Sequence, residues 1–416
     1  MRFQLKNLAL NLLPVSWTRV SSKASIEYNS GILPKILIDV SSLVQFDAGT
    51  GIQRVVRNLY RELIAAPPDG FQICPVAATR KQFYRYVSRD FLEKTDPFIA
   101  QHEPIQIRPG DLFLGLDLAA HVVPYHIGAL HSWKGQGLKM IFFVYDLLPV
   151  IEPKWFSPRA SYNFIRWLRA LAILADSTVA ISRCVQKDFH AWMHKKFELS
   201  AFDLPSFVIH LGAELDSNLS AGNFKRSPLP ANVRNKKFIL MVGTIEPRKG
   251  HEDILDAFEH LWARGSQTAL IIVGKIGWKV QELATRLKSH PENGNRLHWI
   301  DNATDELLVS FYEECYGVAV ASKGEGFGLP LIEACYFNKP TLARDIPIFR
   351  EIAAPNTRFF SGSDNLTLVL QDWIVSLEGR STEISKKKLV TWSDSCAQLV
   401  EVLQIYQRKY NTQSYN

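Results

Sequence analysis

Two carboxylates, Glu325 and Glu333, stand eight positions apart in GEGFGLPLIEA, residues 324–334. Gly326 and Gly328 between them let backbone approach a ligand closely. Pro330 suits the first turn of a helix, where its missing N–H costs nothing. Glu325 is therefore expected on a loop and Glu333 just inside a helix. The backbone N–H groups of Phe327, Gly328 and Leu329 would point at an anion or at sugar hydroxyls, helped by the positive end of the helix dipole. Two acids beside such amides suit a ligand that is polyhydroxylated at two places and anionic between them, which is the chemistry of a nucleotide sugar. A glycine-rich turn before a helix is often only a strand–helix connection. Here the acids, the glycines and the proline fall together, which favours the ligand.

A second segment complements the acids with cations. MVGTIEPRKG, residues 241–250, reads as the end of a strand followed by a helix start. Arg248 can grip a diphosphate as a bidentate fork and Lys249 as a point charge. Gly243 and Thr244, at the start of the turn, join this donor-binding set. In a sugar transfer such cations stabilise the charge that develops on a departing nucleoside diphosphate. In the first half of the chain, DAGTGIQRVVRNLYREL places Gly49, Thr50 and Gly51 in a turn before an amphipathic helix. Backbone amides there are expected to approach the donor phosphate, with Gln53 and Arg54 facing the same cleft. FFVYDLLPV puts Asp146 at the end of a central strand, where it is expected to contact a sugar hydroxyl or the acceptor. A strand-end Asp can equally cap a helix.

The elements that must carry these residues are legible as alternating patterns. The chain has 416 residues, 47% hydrophobic and 21% charged, which fits two globular domains. Strands are predicted over 36–40, 112–116, 140–145, 178–181 and 207–210, then over 238–243, 269–274, 297–300, 318–321 and 341–343. Short apolar strands separated by helix-length segments indicate βαβ units and parallel sheets. The expected architecture is α/β: two doubly wound, Rossmann-like domains facing a cleft. A leader covers 1–34, the first domain 35–216, a Ser-, Asn- and Pro-rich linker 217–237, the second domain 238–390, and a C-terminal helix packing back across the domains 391–416.

Composition excludes several classes. Cys74, Cys184, Cys315, Cys335 and Cys396 lack metal or redox spacing and are expected as reduced thiols, which points to the cytoplasm. The net charge of +7 fits anionic partners, but no nucleic-acid motif accompanies it. The basic, apolar leader fits a segment lying on a membrane surface and equally a packed terminus. No phosphate loop or dinucleotide fingerprint is present. No two aspartates form a D-x-D pair, so a metal-independent site is expected.

With these residues in view, the chain resembles retaining glycosyltransferases of the GT-B fold, family 4, over roughly residues 35–360. The E-x7-E pair Glu325 and Glu333 carries the resemblance, together with GTIEPRKG, GTGIQRV, YDLLP and IHLGAEL. The match looks closest to bacterial mannosyl- or rhamnosyltransferases that build surface polysaccharides such as O-antigen. The resemblance implies that Glu325 contacts the transferred sugar and Glu333 the ribose. It also implies that Arg248 and Lys249 bind the diphosphate and that Asp301 lines the base pocket. It implies a GDP-linked donor, no cofactor, and a saccharide acceptor, lipid-linked, at the inner face of the cell membrane. Two positions depart from it: Tyr145 stands where many members have His, and Thr244 where some have Arg. A nucleotide-sugar epimerase and a non-enzymatic nucleotide-sugar-binding scaffold are the competing readings.

Overall fold

The computed structural model describes residues 33–94, 104–215, 226–378 and 389–413. The expected leader, up to residue 32, and part of the expected linker lie outside the described residues. The chain divides into two compact units. The first runs to Pro153, takes Ser157–Leu211 and regains the chain at Trp392. The second takes Lys154–Phe156 and Gly212–Thr391.

In the first unit the strands are β1 (Lys35–Asp39), β2 (Gln72–Ala77), β3 (Arg85–Tyr86), β4 (Leu112–Gly115), β5 (Lys139–Val144), β6 (Ser177–Ala180) and β7 (Ser206–Val208). Their order is β3-β2-β1-β4-β5-β6-β7, parallel throughout except for the short β3. The order reverses between β1 and β4. The short helix α1 (Ser41–Gln45) follows β1 and leads to α2 (Gly51–Ala65). Val55, Val56, Leu59, Tyr60 and Leu63 form the buried stripe of α2, the 3.6-residue period of an amphipathic helix.

The second unit holds β8 (Phe238–Val242), β9 (Ala269–Val273), β10 (Leu297–Ile300), β11 (Gly317–Val320), β12 (Thr341–Arg344) and β13 (Thr357–Phe360). All are parallel, in the order β10-β9-β8-β11-β12-β13, and the order reverses between β8 and β11. β9 reads ALIIV and is buried along its whole length, as a strand covered on both faces must be. Three helices matter below: α3 (His251–Ala263) after β8, α4 (Leu329–Tyr336) after β11, and the C-terminal α5 (Trp392–Gln413). Each sheet offers a crevice at the carboxyl ends of its strands, at the point of reversal.

Three strands are absent from the sequence-based set: β2, β3 and β13. β2 contains Pro75, which argues against an interior strand. The Pro75 carbonyl accepts from Val87 on the β3 side, so its nitrogen faces that side too and the β1 ladder loses no donor. Part of the expected linker is packed structure: Leu229 and Val233 are buried. Helix α5 belongs to the first unit, where it packs on α2 and Ser395 donates to the His210 carbonyl at 2.7 Å.

Candidate functional site

The β8–α3 turn is a tight construction. Pro247–Lys249 form one 3-10 turn, and Gly250 closes it in the left-handed region at φ 73° before α3 begins. A Cβ on Gly250 would lie 2.4 Å from the Ala321 carbonyl oxygen, so only glycine lets this turn press against the end of β11. That contact brings Arg248 and Lys249, after β8, beside Glu325, after β11. Both strands border the point where the order reverses.

Lys249 Nζ lies 2.6 Å from Glu325 Oε1, and Arg248 Nη1 lies 2.7 Å from Glu325 Oε2. The same Arg248 nitrogen donates to the Gly324 carbonyl at 3.0 Å, and Nε donates to Glu246 at 2.9 Å. All four side chains are largely buried, with exposures from 7% to 15%. Burial alone would push the Glu325 carboxyl up. Arg248 and Lys249 outweigh it and hold the carboxyl at about 2. Burial raises Glu246 above the ordinary carboxylate range, offset in part by the same cations. Burial, with Lys249 alongside, pushes His251 down to about 3, so this ring stays neutral.

This arrangement decides what Glu325 can do. A carboxyl at about 2 is ionised at any physiological pH, so it is a fixed acceptor and charge, not a proton donor. It can hold hydroxyls and keep the two cations in place.

The structure places the remaining expected residues as follows. Glu333 sits in α4, buried, and its Oε2 accepts from Tyr312 Oη at 2.6 Å. Pro330 stands in the first turn of α4, as its chemistry requires. Gly328 was expected to make room for a ligand, and here the neighbour is the chain itself. At φ 101° its missing Cβ leaves room for the Phe349 ring, which a Cβ would meet at 2.6 Å. Phe327 is buried as well, Gly326 lies beside it, and Leu329 opens α4. Gly243 runs along the aliphatic stem of Lys249, with Thr244 next in the chain. Asp301 is exposed, at the carboxyl end of the edge strand β10.

In the first unit, the expectation of amides turned to a ligand does not hold at two of the three named residues. The Gly49 amide donates to Asp47 Oδ1, and the Thr50 amide donates to Gln53 Oε1. Thr50 caps α2 in a reciprocal capping box with Gln53, which is itself buried; Gly51 is the first helical residue. Gln53 was expected to face a cleft. Its amide instead bonds the Phe46 carbonyl at 2.6 Å, because capping and loop closure claim both ends of it. Asp146 accepts from the Leu148 amide, two positions on, at 3.0 Å; this bond closes the turn into the short helix Leu148–Ile151, whose N-cap is Leu147.

Sequence reasoning missed an acid pair at the reversal point of the first sheet. Asp39 ends β1 and Asp117 follows β4; they are 0% and 4% exposed. Asp39 accepts from the Ser41 amide at 2.9 Å, from Ser41 Oγ at 2.5 Å and from Tyr84 Oη at 2.7 Å. Asp117 accepts from the Leu43 amide at 2.7 Å. Burial pushes Asp39 up to about 6. Burial, with Asp39 alongside, pushes Asp117 up to about 7. Glu246 was missed too, although it lies inside the quoted cation segment.

The sequence pattern of group 1 glycosyl transferases matches residues 226–365. The serotype-specific mannosyltransferase WbdA of Escherichia coli is 35% identical over 381 residues, covering 89% of this chain and 46% of that protein. The O-antigen chain mannosyltransferase RfbU of Salmonella typhimurium is 24% identical over 131 residues, 31% of this chain and 35% of its own. This chain therefore spans about half the length of WbdA, and the stretch it shares with RfbU covers about a third of that protein. Among solved structures, Anabaena Alr3699/HepE in complex with UDP and glucose superposes with a TM-score of 0.56 at 18% identity, covering 92% of this chain and 100% of that one. Sucrose-phosphate synthase (tll1590) from Thermosynechococcus elongatus gives a TM-score of 0.56 at 18% identity, covering 91% and 100%. These likenesses show the GT-B fold.

Proposed function

The chain carries a group 1 glycosyl transferase domain, and from that premise we propose that it transfers mannose from GDP-mannose to a saccharide hydroxyl with retention of anomeric configuration. The acceptor is a growing, lipid-linked surface polysaccharide of the O-antigen kind, met at the inner face of the cell membrane. The observation that carries this reading is the Glu325 carboxylate clamped by Arg248 and Lys249 where the strand order reverses. The mannosyltransferase names of the relatives support the choice of sugar. Among the described residues no helix is long and apolar enough to cross a membrane.

The chemistry follows from the charges. As the donor bond ionises, negative charge grows on the departing diphosphate, and Arg248 and Lys249 stabilise it without reorganising. The ionised Glu325 keeps both cations oriented and accepts hydroxyl hydrogens of the sugar. It does not donate a proton at neutral pH. The acceptor attacks from the face the diphosphate leaves, and the departing phosphate oxygen takes the acceptor proton. Glu333 holds the ribose, Asp301 lines the base pocket, and Asp146 orients the acceptor.

The test is release of nucleoside diphosphate from a panel of nucleotide sugars, with EDTA present and with or without a lipid-linked glycan. Acceptor-dependent release from GDP-mannose alone is the expected result. Donor conversion without an acceptor would indicate an epimerase. Tight donor binding without any release, even with the acceptor present, would indicate a binding protein.

A further inference from the structure

Arg344 ends β12, outside the segments that carry the candidate site, and only 12% of its side chain is exposed. Its Nε donates to the Ala321 carbonyl at 2.8 Å and its Nη2 lies 2.5 Å from Asp253 Oδ2. The guanidinium stacks over Phe360, 4.9 Å from the ring centre. Asp253 belongs to the first turn of α3, and its other oxygen accepts from Lys323 Nζ at 3.1 Å. The Lys323 amide in turn donates to the Arg248 carbonyl at 2.7 Å. One planar fork thus ties three pieces together: the end of β12, the start of α3, and the loop after β11 that carries Glu325. The Ala321 carbonyl that receives Arg344 is the group against which Gly250 packs.

We propose that Arg344 is a positioning residue for sugar transfer: through Ala321 and Asp253 it fixes the height of residues 321–325 so that Glu325 meets Arg248 and Lys249. The proposal rests on the transferase reading above. Arg344 acts through other residues and is assigned no contact with substrate. The physical reason for an arginine is geometric. A lysine offers a point charge and cannot reach a carbonyl and a carboxylate along two fixed directions while stacking on a ring. Errors of about 1 Å in such a site cost about 100-fold in rate.

The test compares Arg344→Gln, Arg344→Lys, Asp253→Asn and the Asp253→Asn/Arg344→Gln double variant in the full chain, each assayed well below its own melting temperature. Each single variant is expected to lower kcat by about 10- to 100-fold. Lysine should restore little, and the double variant should fall no further than the worse single one, because both act on one clamp. A merely structural role would lower melting temperature without this non-additive pattern in kcat. Calorimetric titration with GDP gives a second readout, with affinity expected to weaken about fivefold or more as the cation pair loses its partner. Turnover and GDP affinity both within about twofold of wild type, or losses that multiply in the double variant, overturn the proposal. A wild-type chain that binds GDP but transfers no sugar breaks the transferase reading instead, and the GDP titration still decides the role of Arg344.

Discussion

Each unit places buried acid at the reversal point of its sheet, and the two solve the resulting electrostatic problem in opposite ways. In the second unit, Glu325 is met by an arginine and a lysine, both within 2.7 Å. Its carboxyl stays far below the ordinary range despite burial. In the first unit, Asp39 accepts from an amide and two hydroxyls and Asp117 from an amide, all neutral donors. Both carboxyls rise. A neutral donor satisfies lone pairs but supplies no charge, so desolvation wins in one place and loses in the other. The first arrangement is permanently charged and suits binding an anion through its cations. The second holds a proton near neutrality and suits fixing a loop, since its acceptors tie α1 to the strand ends.

The comparison breaks most visibly if charge in the second unit can be removed without consequence. Lys249→Ala is expected to lower turnover by about 100- to 1,000-fold, the scale of losing one donor to a developing charge. Preserved release of nucleoside diphosphate by the variant would sink the assignment. Glu325→Gln leaves two buried cations short of a partner and is expected to cost about 3–5 kcal/mol, read as a shift in urea midpoint. In the first unit the equivalent neutral change should behave differently. Tyr84→Phe removes one donor from Asp39 and should cost about 1–3 kcal/mol at neutral pH.

The pH dependence sharpens the contrast because the two windows do not coincide. Glu325 is depressed in the folded chain, so its contribution is present above the ordinary value of 4.5 and is lost as pH falls towards about 2. Asp117 is raised, so the folded chain keeps a proton that the unfolded chain has released. Its effect is a loss of stability as pH rises from 3.8 to about 7. Asp117→Asn should flatten that fall, measured as urea midpoints across the window, and an unchanged slope would remove the contrast. The smallest effect is expected at Thr50→Ala, which forfeits one cap at about 1 kcal/mol. If it instead abolished donor binding, the loop before α2 would be ligand-facing despite its internally bonded amides.

Much of this molecule is readable from local pattern. The two strand sets appear as apolar runs because parallel strands buried on both faces cannot alternate. The acids and cations of 324–334 and 241–250 announce chemistry because glycine and proline fix the backbone around them. Two of the three missed strands have equally local causes, a proline in β2 and only two residues in β3. The internally bonded loop before α2 has another cause. Gly49 and Thr50 have the composition of a ligand-binding turn, and the same donors and acceptors serve equally to close a loop and cap a helix.

What the sequence by itself determined is the inventory: two βαβ sets, a loop-borne glutamate, an Arg-Lys pair and a helix-borne second acid. Only the tertiary structure decided which charge faces which. Arg248 meets Glu325 across 77 positions, Arg344 meets Asp253 across 91, and the Leu43 amide meets Asp117 across 74. Each pairing exists because the strand order sets distant strand ends side by side or, for Arg344 and Asp253, on either side of one intervening strand. Whether a buried carboxylate then keeps its charge depends on what the neighbouring strand delivers, a cation or a hydroxyl, and no spacing within one segment carries that information.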